Sequence, residues 1–217
     1  STPDIEANKN RTAICLIKTD GTGRIQLTQG KESQVEPAFI DEGERIAYLQ
    51  GGNLWTMKCD GTDKKQLSQG EDIEGYKFSP DGKQIVVIRQ VASTTSIMPK
   101  EKDLPLATGL VINDMNYRHW DQYVQTIPHI FLASVEKDGL GEMKDLLEGE
   151  PYECPVLPFG GSEQFCWSPD GKQIAYTSRK KTGVDYATST DTDIYIYNVE
   201  TGQTTNVCKP EGYVEPK

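Results

Sequence analysis

The segment FSPDGKQIVVIRQ at 78–90 returns almost unchanged as WSPDGKQIAYTSR at 167–179. Internal repetition at a fixed spacing constrains a fold more than composition does, because each repeat is one structural unit that buries its apolar faces only against its neighbours. Other landmarks set the spacing. KTDGT at 18–22 recurs as KCDGT at 58–62, and QLTQG at 26–30 recurs as QLSQG at 66–70, both shifted by 40 residues. FIDEGERIAYLQ at 39–50 has the shape of FSPDGKQIVVIR at 78–89, shifted by 39.

Each landmark has a local chemical reason. In Ser-Pro-Asp-Gly-Lys the proline presets φ for a turn, the aspartate can bond back to the backbone, and the glycine accepts positive φ. The residues that follow, KQIVVIR or KQIAYTSR, are rich in β-branched and aromatic side chains and read as a buried strand. A second strand follows, NLWTMK at 53–58 or DIYIYNV at 193–199, closed by Asp-Gly or by ETG at 200–202. Asp-Gly between two such runs signals a hairpin. A short last strand carries RIQL, KKQL or TTNV. With the strand that enters the proline turn, this makes about four antiparallel strands in about 40 residues, the size of a β-propeller blade. The expected fold is therefore all-β: a partial β-propeller of about three and a half to four blades.

The blades are expected at about 1–30 (incomplete), 31–70, 71–149 and 150–217, in one domain over 1–217. The first unit starts with outer strands (13–27) and lacks its own proline-turn half. The third is stretched: its outer half is placed at HIFLASVEKDGLGEMKDLLEG (129–149), with Asp138-Gly139 lying 78 residues beyond Asp60-Gly61. EMKDLLE looks helical in isolation, but the repeat makes it a blade's last strand. An insertion at 91–128 carries MPKEKDLP and then the cluster NYRHWDQYV at 116–124; a smaller one, KKTGVDYATSTDT at 180–192, lengthens a turn in the final blade. Long loops on a rigid scaffold are where function concentrates.

A formal net charge of −10 argues against a nucleic-acid partner, which wants clustered Lys and Arg. No apolar run approaches the ~18 residues that cross a bilayer as a helix. The chain opens on Ser1 without a basic-then-apolar leader, as expected of a processed or excised stretch. Cysteines at 15, 59, 154, 166 and 208 include no C-x-x-C, so neither a zinc site nor a redox dithiol is expected. A Cys154–Cys166 bond and free thiols both stay open.

The SPDGK repeats with DG…QLT endings resemble the WD40-like repeats of TolB-type periplasmic propellers and of the propeller of the prolyl oligopeptidase family of serine peptidases. YRHWDQYVQTIPHIFLASV at 117–135 is similar to a segment of that family's acylaminoacyl-peptidase and dipeptidyl-peptidase-5 branch. The resemblance implies an N-terminal propeller without its catalytic domain: in such enzymes an α/β-hydrolase domain with a Ser-Asp-His triad follows. The nucleophile elbow G-x-S-x-G is absent here. GGSEQ at 160–164 has Gln164 where the closing glycine belongs, and Ser134 with Lys137 forms an S-x-x-K string without companion motifs, so no catalytic residue is assigned. No cofactor and no metal is expected: Asp191 and Asp193 lack the further oxygen ligands and the glycine of a calcium loop. Tyr117, Arg118, His119, Trp120 and Asp121 are the candidate contacts with substrate or with the hydrolase domain; pinning the insertion to its blade is their competing role. His129 is expected to pack or to sit at the surface.

The functional expectation is a non-catalytic propeller of a serine exopeptidase, acting as access filter for short peptides and as scaffold for the hydrolase domain, in a bacterial periplasm or secreted. The alternative is a TolB-type binding propeller that docks another protein. Open blade edges and faces also lead to an expectation of concentration-dependent self-association.

Overall fold

The computed structural model describes residues 1–6, 8–93, 106, 108, 109, 111, 112, 118, 119 and 122–209. Among these residues the architecture is antiparallel sheet with one short α-helix. Strands β1 (Thr2–Asp4) and β2 (Lys9–Arg11) form a hairpin, and β3 (Cys15–Leu16) pairs β4 (Ile25–Gln26). A four-stranded sheet follows in the order β5 (Gln34–Ile40), β6 (Arg45–Gln50), β7 (Asn53–Lys58), β8 (Lys65–Gln66). The next has the order β14 (Gly139–Leu140), β13 (Thr126–Glu136), β10 (Gln84–Ala92), β9 (Gly75–Phe78), with β15 (Lys144–Asp145) also on β13. Between β10 and β13, β11 (Arg118–His119) pairs β12 (Gln122–Tyr123). The last sheet runs β16 (Phe165–Trp167), β17 (Gln173–Ser178), β18 (Asp193–Asn198), β19 (Thr204–Asn206). These sheets are blades of a partial propeller, as the period predicts. EMKDLLE is not helical: β15 lies within it.

The turn chemistry repeats with the sequence. Ser79 Oγ accepts the Gln84 amide at 2.9 Å and donates to Asp81 Oδ1 at 2.7 Å, while Asp81 Oδ1 accepts the Lys83 amide at 3.1 Å. Ser168, Asp170, Lys172 and Gln173 reproduce those three bonds at 2.7, 3.1 and 2.9 Å. Gly82 and Gly171 both sit at φ +70°, a conformation that costs a β-carbon-bearing residue about 1–2 kcal/mol. In the Asp-Gly-Thr hairpins, Asp20 and Asp60 each accept both the amide and the hydroxyl of the threonine two residues on, at 2.6–2.9 Å. The QLTQG and QLSQG landmarks have a different purpose. Thr28 Oγ1 accepts the buried Ile14 amide and Ser68 Oγ the buried Leu54 amide, each at 2.8 Å. A buried amide without a partner would cost roughly 1–3 kcal/mol.

The chain forms two compact units, Ser1–Arg89 with Leu132–Met143, and Gln90–Phe131 with Lys144–Lys217. In the first, Ile14 and Leu27 of the β3–β4 segment pack with Ile46, Tyr48 and Met57 of the β6–β7 pair, with Leu16, Trp55 and Cys59 at the margin. In the second, Ile174 and Tyr176 of β17 are buried on the same face as Tyr195 and Tyr197 of β18, and the Tyr176 and Tyr195 rings stack with centroids 5.4 Å apart. Burying each such side chain contributes about 1.5–3 kcal/mol.

The 180–192 insertion is more than a longer turn. It contains helix α1 (Gly183–Thr188), whose Tyr186 is buried.

Candidate functional site

The larger insertion is tied at its base, where the Ser93 amide donates to the Gln125 carbonyl at 2.9 Å. Just before that base, Arg118 stands opposite Tyr123 and His119 opposite Gln122 in the β11–β12 hairpin. Tyr117, Trp120 and Asp121 lie outside the described residues. Of the five candidate contacts, Arg118 and His119 are thus placed, by their backbone, on one strand of a hairpin. Tyr123 is exposed and Val124 is buried as the chain enters β13. His129, three residues into β13, is buried, and its Nδ1 lies 2.9 Å from the Asp145 carboxylate of β15. Asp145 also accepts the Leu147 amide at 2.9 Å.

A second cluster has no motif to announce it. Glu153, in the strap that precedes β16, is 2% exposed. Its Oε1 accepts the Tyr186 hydroxyl at 2.6 Å and the Leu157 amide at 3.2 Å, and lies 3.7 Å from the Arg179 guanidinium. Arg179 stacks on the Tyr186 ring, 3.9 Å from its centroid, and donates to the Ser189 carbonyl at 3.2 Å. The Ser178 hydroxyl donates to the Glu153 carbonyl at 2.9 Å. Burial, and then the Glu153 charge, push the Tyr186 phenol well above its ordinary pKa, so it remains a donor. Strap, strand end and inserted helix are thus locked together around one carboxylate. It is enclosed by its own partners, which suits it to hold the insertion and not to meet a ligand.

Charges around this lock are paired as well. Lys180 reaches Glu150 at 2.5 Å and the face of Tyr195, 4.5 Å from the centroid. Asp191 and Asp193 meet Lys209 at 3.2 and 2.9 Å, and Lys181 meets Asp191 at 3.3 Å. Ammonium groups are the neighbours of the run that has a partial calcium-loop spacing. Among the described residues no group of three or more His, Cys, Asp or Glu side chains could hold a metal ion. All five cysteines are free: Cys154 is buried, Cys166 is exposed, and burial together with the Glu153 charge pushes the Cys154 thiol up, away from reactivity.

The serines have the wrong setting for acyl transfer. Ser162 opens a single 3₁₀ turn, Ser162–Gln164, that runs into a strand, the reverse of the strand-to-helix elbow. Ser134 Oγ donates to Glu136 at 3.2 Å. Open hollows among the described residues include two. One, of about 280 Å³, is bordered by Asp41, Arg45, Asp63, Phe78 and Lys137; Arg45 donates to Asp63 at 2.6 Å and holds that carboxyl below its ordinary pKa. The other, of about 320 Å³, lies on β16–β18 over Cys166, Ala175, Thr177 and Ile194.

Two curated relatives match almost the whole chain. The dipeptidyl-peptidase 5 of Porphyromonas gingivalis is 45% identical over 215 residues, and that of Porphyromonas endodontalis 42% identical over 212, each match covering 95% of this chain. The homologues of this chain are dipeptidyl-peptidase 5 proteins. A fungal dipeptidyl-peptidase 5, from Arthroderma otae, is 28% identical over 177 residues and 73% of the chain. The chain spans 31% of the length of the two bacterial dipeptidyl-peptidase 5 sequences. No family model matches it. Among solved structures, the acylaminoacyl peptidase of Pyrococcus horikoshii superposes with a TM-score of 0.58 at 13% identity, over 94% of this chain and 29% of that one. A TolB from Agrobacterium tumefaciens superposes with a TM-score of 0.53 at 16% identity, over 90% of this chain and 53% of that one. At such identities the likeness is one of fold.

Proposed function

We propose that this chain is the non-catalytic propeller region of a serine exopeptidase, and that it filters access to, and scaffolds, an α/β-hydrolase domain of the same protein. The observation that carries this reading is the 42–45% identity to dipeptidyl-peptidase 5 along 95% of a chain that contains no G-x-S-x-G. Blades built of antiparallel, hydrogen-bonded sheets suit a filter that admits an extended short peptide and turns away a folded protein. The net charge of −10 favours the free amino group that distinguishes an exopeptidase substrate. The 116–124 segment, on its tied insertion, is the natural place for contact with substrate or hydrolase domain. The bacterial relatives fit a periplasmic or secreted enzyme, and no helix among the described residues is long and apolar enough to cross a membrane.

The test has two arms. The purified chain, given a chromogenic dipeptidyl substrate, is expected to show no turnover above the blank. The reading frame beyond residue 217 at its source is expected to encode G-x-S-x-G, then Asp, then His. Turnover that co-purifies with the chain and is blocked by a serine-directed fluorophosphonate would falsify the non-catalytic role. A frame holding only further SPDGK repeats would replace the peptidase with a binding propeller.

A further inference from the structure

The hollow of about 280 Å³ lies within one compact unit and is walled on both sides, by the β5–β8 sheet and by the sheet of β9, β10 and β13. Ile40, Leu67, Phe78 and Val135 give it an apolar lining. Three carboxylates (Asp41, Asp63, Glu136) and three cationic groups (Arg45, Lys65, Lys137) border it, so this spot is neutral on a chain of net charge −10.

Most of these charges are engaged. Arg45 donates to the Asp63 carboxylate at 2.6 Å, to the Asp63 carbonyl at 2.9 Å and to Thr56 Oγ1 at 3.1 Å. Lys65 donates to the Lys137 carbonyl and lies 3.5 Å from Asp138, and Glu136 accepts the Ser134 hydroxyl at 3.2 Å. Two are not engaged. The Asp41 carboxylate and the Lys137 ammonium have no hydrogen-bond or ion-pair partner among the described residues. Asp41 stands in a left-handed turn, whereas the repeat-equivalent turn at 80–82 needs positive φ only at its glycine. Strain kept where the same chain has an unstrained alternative points to a functional position, and here it carries the free carboxylate.

We propose that this hollow binds a free dipeptide with an apolar side chain, its ammonium held by Asp41, its carboxylate by Lys137 and its side chain against Leu67, Phe78 and Val135. The balance of charge selects a zwitterion, because a simple anion meets three carboxylates and a simple cation meets three cationic groups. The spacing selects a dipeptide. Asp41 and Lys137 belong to neighbouring sheets, joined where the Leu140 amide donates to the Leu67 carbonyl at 3.1 Å. Packed sheets lie about 10 Å apart, more than the two charges of one amino acid can span. An extended dipeptide covers about 7 Å before its hydrogen bonds add their length. Its size suits a volume near the lower end of ligand pockets, roughly 300 Å³. Under the peptidase reading such a molecule is what the enzyme releases, and the hollow registers product. Binding itself does not rest on that reading.

Heteronuclear NMR titration of the chain with glycyl-leucine tests it. The amides of Asp41, Gly82 and Lys137 are expected to shift saturably, with a Kd on the order of 1 mM. Acetyl-glycyl-leucine amide, which carries no charge, is expected to bind at least about tenfold more weakly. Asp41→Asn and Lys137→Gln change exposed residues and are each expected to weaken binding about threefold or more. Lys172→Gln, exposed in a turn of the last sheet, is expected to leave binding unchanged. The absence of saturable shifts up to about ten times 1 mM overturns the proposal. So does equal binding of the blocked peptide, or binding that neither hollow variant weakens. All of these are measured on the chain alone, so failure here leaves the peptidase reading standing.

Discussion

Asp41, Glu42 and Gly43 turn the chain from β5 to β6 with φ of +51°, +55° and +91°. Their repeat equivalents are Pro80, Asp81 and Gly82, of which only the glycine has positive φ. Two side-chain-bearing residues in the left-handed region store roughly 1–2 kcal/mol each. The sister turn avoids this by supplying proline and the Ser79–Asp81 hydrogen bond. The combined variant Ile40→Ser, Asp41→Pro, Glu42→Asp is therefore expected to stabilise the chain by about 1–2 kcal/mol. Urea unfolding should show a higher midpoint at an unchanged slope; an unchanged or lower midpoint would mean that the surroundings of the turn demand its left-handed form. At this scale the sequence was only partly legible. FIDEGERIAYLQ and FSPDGKQIVVIR share a pattern, but handedness depends on the proline that only one of them has. The buried hydroxyls of Thr28 and Ser68 were visible as a repeated letter, while their bond to an amide of an earlier strand is a tertiary fact.

At the scale of elements, hairpins and strands followed from the repeat because tight turns are local chemistry. Repeat register also overrode helix propensity correctly at 142–148, where β15 forms. Helix α1 was not foreseen, since six residues between two lysines and an acidic run have no periodicity to read. Its position depends on Glu153, 33 residues earlier in the chain, through the Tyr186 hydroxyl. Tyr186→Phe keeps the ring under Arg179 and removes the hydroxyl with its bond to Glu153. Hydrogen bonds to a charged group contribute about 1.5–3 kcal/mol, and here the loss leaves a buried carboxylate short of a donor. The α1 amides are expected to exchange with solvent at least tenfold faster in this variant, while those of β6 and β7 keep their protection. Equal acceleration in both regions would show that the lock supports the whole chain and not the inserted helix alone.

For the whole molecule, fold class was readable because propeller blades repeat, whereas the exposure of a blade face is decided by what lies beyond the blade. Ala175 and Ile194 look like core residues in the sequence, and only their accessibility separates them from Ala47 and Leu54.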